Sequence, residues 1–216
     1  MNKYDLVIFD LDGTMLDTSE GVMSSIKYAI NEMNYEMPDE ETLRSFIGPP
    51  VGDSFARVYG ISGNDLDKMS NLFRDHYKNI DLLKAYPYEG IFEAFSYLRE
   101  NNIKSAVATY KRQDYTNMIL SHFGFDKYTD IIYGSDFEGK LKKMDIILKC
   151  IEVSGITDKS KAVMIGDTLH DALGANQLGV DFIGVTYGFG FFSKEDVEQY
   201  NNVGYVDNIA DLKNLI

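Results

Sequence analysis

Tyr4-Asp5-Leu6-Val7-Ile8-Phe9-Asp10-Leu11-Asp12-Gly13-Thr14 is the stretch that decides the fold. Its apolar, β-favouring run, residues 4–9, predicts a buried strand. The strand ends on two carboxylates one residue apart, followed by Gly-Thr. The period then changes. From Ser19, a plausible N-cap, Val22, Ile26, Ile30 and Met33 recur at helical spacing. Pro38-Asp39 opens a second short helix that stops near Gly48-Pro49-Pro50, where the backbone cannot stay helical. Leu66, Met69, Leu72, Phe73 and Tyr77 mark a further amphipathic helix, so residues 17–84 read as all-helical.

Beyond Tyr86-Pro87-Tyr88-Glu89-Gly90 strands and helices alternate. A helix carrying Phe92, Phe95 and Leu98 precedes a strand at 104–108, a helix at 115–123 and a strand at 130–133. A helix at 143–153, a strand at 161–165, a helix at 171–178 and a strand at 181–185 follow. Such alternation predicts βαβ units and a parallel sheet. The expected fold is therefore α/β: a Rossmann-like parallel sheet flanked by helices, residues 1–16 and 87–216, with an all-α cap, 17–86, inserted after the first strand.

A chain of 216 residues, 44% hydrophobic and 25% charged, has the composition of a soluble globular protein. Its net charge of −13 opposes binding to nucleic acid or to an anionic membrane. The apolar run near the N-terminus is too short for a signal-peptide core or a membrane span, so a cytoplasmic protein, monomeric or a weak homodimer, is expected. The single Cys150 sits in a helical apolar context and reads as core.

Three polar clusters each follow an apolar strand: Asp10-Leu11-Asp12-Gly13-Thr14, Thr109-Tyr110-Lys111, and Gly166-Asp167-Thr168-Leu169-His170-Asp171. In an open parallel sheet the strand ends share one edge, where ligands bind, so the three clusters converge on one site. Together with a following lysine they resemble, in order, the motifs of the haloacid dehalogenase superfamily. The likeness spans essentially the whole chain and is nearest to the phosphoglycolate phosphatase-like and nucleotidase-like branch with a helical cap.

That resemblance implies a phosphatase acting on a small soluble phosphate monoester, phosphoglycolate or a nucleoside 5′-monophosphate. Asp10 would be the nucleophile that forms an aspartyl-phosphate. Asp12 would protonate the leaving oxygen and later take a proton from water, which asks it to hold a proton in the substrate complex. Magnesium would be held by Asp10, Asp167 and the backbone carbonyl of Asp12. Asp171 would contact a metal-bound water or the catalytic lysine. Thr109 would bind phosphate through its hydroxyl and the Tyr110 N–H, where the family usually has a small residue. Lys143, in Lys143-Met144-Asp145-Ile146-Ile147, fits the catalytic lysine, with the adjacent Lys142 as the alternative.

Phe46 and Gly48, in Phe46-Ile47-Gly48-Pro49-Pro50-Val51, are similar to the cap loop that lines the substrate pocket in this branch. Gly188-Phe189-Gly190 lacks a dinucleotide fingerprint and is expected to be a flexible surface segment. His76 and His122 are expected to be structural. Lys111 and Arg112 fit either attraction of an anionic substrate or solvated surface. A dehalogenase lacks the second aspartate, so Asp12 argues against one. Val22 stands where a β-phosphoglucomutase-like enzyme would place a histidine, and receiver domains of signalling proteins are shorter and have no inserted helices. An inactive binding protein would not need this full set of groups.

Overall fold

Leu6–Phe9 is a strand of four apolar residues, all fully buried, as expected of a strand covered on both faces. The structure, a computed structural model, describes residues 2–138 and 140–216; Met1 and Gly139 lie outside the described residues. Extended segments follow in chain order: β1 (Leu6–Phe9), β2 (Leu16–Asp17), β3 (Tyr86–Pro87), β4 (Lys104–Arg112), β5 (Ile132–Ser135), β6 (Ala162–Gly166), β7 (Asp181–Val185) and β8 (Gly204–Val206). Six of them build one parallel sheet in the order β5-β4-β1-β6-β7-β8. The chain divides into two compact units, one comprising Met1–Asp17 and Pro87–Ile216 and the other Thr18–Tyr86.

In the first unit β1 is central. Phe9 registers with Val107 of β4 on one side and Ile165 of β6 on the other. Strands β4 and β5 extend the sheet one way and β6, β7 and β8 the other, so the strand order reverses at β1. Such a reversal leaves a crevice at the carboxyl ends of the strands. Helices α5 (Ile91–Glu100), α6 (Gln113–Phe123), α7 (Lys143–Ser154), α8 (Leu169–Leu178) and α9 (Lys194–Glu198) belong to this unit. Alternate residues of β1 serve opposite faces. Leu6 and Ile8 join a cluster with Ile146, Ile147 and Cys150 of α7, while the Phe9 ring stacks on Phe95 of α5 at 4.7 Å. Burial pushes the Cys150 thiol up to about 12, which suits an inert core residue.

Strands β4 and β5 depart from the sequence expectation, and β8 was not expected. Strand β4 runs to Arg112, with its pairing to β5 shifting register between Ala108 and Arg112. Thr109, Tyr110 and Lys111 thus lie on the strand and not after it. Strand β5 starts two residues later than expected. Thr129 Oγ1 donates to the Ser105 carbonyl at 2.6 Å and accepts from Ile131 N at 3.0 Å, a side-chain turn that delays pairing. The three-residue β8 was too short to show a period.

The second unit contains α1 (Ser19–Glu32), α2 (Glu40–Arg44), α3 (Val51–Tyr59), α4 (Gly63–His76) and a π-helical segment, Tyr77–Asp81. Thr18, not Ser19, holds the N-cap position of α1, and Asp39 caps α2 by accepting from Thr42 N at 2.8 Å. Helix α3 was not anticipated. Ile26 and Ile30 of α1, Phe55 of α3 and Met69 of α4 form the apolar interior of this unit. Phe46 is also interior there, its ring 5.3 Å from that of Phe55, so it packs this unit, while Gly48 is exposed. The π-helical segment ends on buried Asp81, which accepts from Ser25 Oγ at 2.8 Å and meets His76 Nδ1 at 3.0 Å and Lys84 Nζ at 2.8 Å. Burial alone would raise Asp81, but hydrogen bonds from Lys84 and Ser25 outweigh it and hold the carboxyl below its ordinary range. His76 is thereby explained as a structural partner.

Candidate active site

The backbone of β1 delivers Asp10 to the reversal point, with Asp10 N donating to the Ile165 carbonyl at 2.9 Å. Its Oδ1 accepts from Lys143 Nζ at 2.5 Å. The same ammonium stands 2.7 Å from Asp171 Oδ1. Asp171 Oδ2 accepts from Thr168 N at 3.0 Å and Thr168 Oγ1 at 2.7 Å, which closes the first turn of α8. Asp171 therefore positions Lys143 and the start of α8 at once. Asp167 is fully buried, its Oδ1 accepting from Thr14 Oγ1 at 3.1 Å and its Oδ2 from Phe189 N at 2.7 Å.

Carboxylate oxygens of Asp10, Asp167 and Asp171 all lie within 4.8 Å of one another. Three buried carboxylates stand with one buried ammonium, Lys143, which pairs with Asp10 and Asp171, so the cluster carries a formal surplus of two negative charges. Such a surplus is strongly unfavourable unless protons or a cation offset it. Burial accordingly pushes Asp10 up to about 7, against the pull of Lys143, and raises Asp167 well above its ordinary value. Burial would lower Lys143, but Asp10 and Asp171 outweigh it and hold the ammonium above its usual value. The donor set, all oxygen and doubly short of positive charge, fits a hard divalent cation.

The lysine alternatives separate by geometry. Lys143 opens α7 with its side chain directed at Asp10, whereas Lys142 is the exposed N-cap residue, its N–H donating to Asp145 Oδ2 at 2.9 Å. Tyr110, where a small residue was expected, accepts from Lys143 N at 2.9 Å through its hydroxyl and so satisfies an open N–H of α7. Its ring lies 5.5 Å from that of His170. Thr109 is buried and accepts from Lys111 N at 3.1 Å; it lies on β4, short of α6, so it is not a cap of that helix. Lys111 Nζ reaches Asp12 Oδ1 at 3.0 Å. Arg112 instead holds Asp114 by two bonds, at 2.6 and 2.8 Å.

The model of the haloacid dehalogenase-like hydrolases matches residues 7–185, a span that includes every one of these side chains. The chain belongs to that family. A 5′-nucleotidase of Pseudomonas aeruginosa is 32% identical over 99% of this chain and 96% of its own length. The pyrophosphatase PpaX of Halalkalibacterium halodurans is 29% identical over 99% of this chain and 97% of its own. Among solved structures, a predicted phosphatase from Clostridium acetobutylicum superposes with a TM-score of 0.89 at 34% identity, covering 99% of this chain and 98% of that one. Among the described residues no helix is long and apolar enough to cross a membrane.

One segment of this haloacid dehalogenase-like hydrolase corrects the sequence expectation. Gly188-Phe189-Gly190 is not a loose surface stretch but is bonded around Asp167. Besides the Phe189 N–H on Oδ2, Phe191 N donates to the Asp167 carbonyl at 2.7 Å, and Tyr187 Oη donates to the Thr14 carbonyl at 2.9 Å. A Cβ on Gly188 would stand 2.4 Å from Gly13 O and 2.5 Å from Asp167 Cβ, so the backbone can approach only without a side chain. Gly13 faces Asp167 from the other side at φ +85°, where a Cβ would be 2.2 Å from Oδ2. Thr14, Tyr187 and Phe189 were missed as site residues. The available signal was glycine spacing just after a buried strand, which marks close backbone approach as well as flexibility.

Proposed function

We propose that the chain is a phosphoric monoester hydrolase that cleaves a small phosphate monoester in the cytoplasm, with magnesium as its cofactor and an aspartyl-phosphate on Asp10. The observation that carries this reading is the buried cluster in which Asp10 alone of the three carboxylates keeps any exposure, at 6% against 0% for Asp167 and Asp171. An incoming phosphorus can meet only Asp10. Its Oδ1 is held by Lys143, which leaves Oδ2 to attack. As the Asp10–phosphorus bond forms, the bond from phosphorus to the leaving oxygen breaks, and Asp12 gives that oxygen a proton. Asp12 then takes a proton from the water that splits the aspartyl-phosphate, releasing inorganic phosphate. Lys143 offsets charge on the phosphoryl oxygens, and Thr109 with the Tyr110 N–H holds them.

Asp10, Asp167 and the Asp12 carbonyl would hold the magnesium ion, which when bound supplies positive charge against the phosphoryl group. The helical unit, by the same resemblance, serves as a cap. The test is a substrate panel with purified protein and magnesium: phosphoglycolate, nucleoside 5′-monophosphates and p-nitrophenyl phosphate. Multiple turnover on at least one, abolished by excess EDTA and restored by magnesium, is expected. Stoichiometric release that stops after one phosphate would overturn the reading.

Gly188→Ala supplies a second check. Its methyl group pushes on Asp167 and Gly13, so magnesium affinity should fall about 10–100-fold, the usual effect of disturbing a group that orients a ligand. Calorimetric titration with magnesium measures this without reference to turnover. Unaltered affinity would show that the loop does not hold Asp167 in place.

A further inference from the structure

Lys111 reaches from β4 toward Asp12, its Nζ 3.0 Å from Asp12 Oδ1, and its side chain keeps only 7% of its exposure. A pair made for stability alone gains little at a surface and does not require withdrawing an ammonium from water. Here a lysine is withdrawn beside the carboxylate that serves the leaving oxygen. That oxygen must come within about 2.6–3.2 Å of Asp12 to receive a proton. Where Oδ1 is the oxygen that gives the proton, Lys111 Nζ stands no farther than about two hydrogen-bond lengths, roughly 6 Å, from the leaving oxygen. Whatever is attached to that oxygen by two or three bonds passes within reach of the ammonium, which has three donors and can serve Asp12 and a second anion together. Lys143 is engaged by Asp10 and Asp171, and Arg112 is paired with Asp114.

We propose that Lys111 is a specificity-determining residue, and that the preferred substrates carry a second anionic group, a carboxylate or phosphate, two or three bonds from the leaving oxygen. This rests on the phosphatase reading above and narrows it. Small phosphorylated acids fall inside the class, whereas nucleoside 5′-monophosphates, whose leaving group has no anion near that oxygen, fall outside. On a chain of net charge −13 an anionic leaving group needs such a local cation to enter at all.

The experiment compares phosphoglycolate with its neutral amide, two esters that differ in charge at one position. The parent protein should favour the acid at least about 10-fold in kcat/KM, and Lys111→Met should lower that ratio about 10–100-fold, chiefly through KM for the acid, as expected for one charged hydrogen bond. Lys111→Arg should recover most of the preference. An unchanged ratio in Lys111→Met would mean that Lys111 only orients Asp12, which overturns the proposal. Equal use of acid and amide by the parent protein, or better use of a nucleoside 5′-monophosphate, overturns it without any variant. Should Lys111→Met fail to fold, Lys111→Gln carries the same comparison. If p-nitrophenyl phosphate, nucleoside 5′-monophosphates and both esters are all inert, the phosphatase reading itself falls; turnover without preference sinks only the role of Lys111.

Discussion

Asp10→Asn should lower turnover by at least about 10⁴-fold while leaving the metal-free protein as stable as the parent, or more so. The loss of rate follows from removing the attacking oxygen: the amide is a far poorer nucleophile, and loss of a covalent catalyst has effects of this order. The stability expectation follows from charge. Asp10, Asp167 and Asp171 are buried with one ammonium, Lys143, paired to Asp10 and Asp171, so a near-isosteric neutral side chain at position 10 removes one surplus negative charge. Lys143 retains Asp171 at 2.7 Å. Steady-state assays on the best substrate, with thermal melts in EDTA, measure both. A variant retaining a tenth of the parent rate would remove Asp10 from the role of nucleophile, and a melt lowered by many degrees would contradict the charge argument.

What the sequence disclosed about this site was what a strand pattern can carry. The strands β1, β6 and β7 are runs of buried apolar residues, and in a parallel sheet their ends must share an edge, so Asp10 and Asp167 could be placed together from pattern alone. The identity of the lysine could not be settled that way. Lys142 and Lys143 differ by one residue, and only the start of α7, held by Tyr110 and Asp145, turns one side chain inward and leaves the other at the surface. Asp171 was open between two partners because its spacing from Asp167 is satisfied equally by a metal-bound water and by an ammonium on a different helix. The glycine loop at 188–190 was misjudged for a related reason. Two glycines after a strand signal conformational freedom in sequence, but the tertiary fact is proximity to Asp167, which no local pattern encodes. Chemistry-bearing residues were thus visible where they end strands, and invisible where backbone N–H groups do the work.

Lys143→Met should act in the opposite direction to Asp10→Asn on stability and in the same direction on rate. Removing the ammonium leaves Asp10 and Asp171 buried without their shared partner, a change that typically costs about 3–5 kcal/mol. For a chain of this size that corresponds to a melting temperature lower by roughly 10 °C. Loss of one charged donor to the phosphoryl oxygens should cut kcat about 10²–10³-fold. Lys142→Met, which removes an exposed N-cap side chain, should leave both quantities near the parent values. The decisive comparison is the double variant. If Asp10 and Lys143 interact as their 2.5 Å contact implies, Asp10→Asn should restore part of the stability lost in Lys143→Met, because the surplus negative charge that the missing ammonium exposes is then one unit smaller. Strictly additive effects would mean that the two side chains are not energetically coupled, and the electrostatic account of this cluster would have to be abandoned.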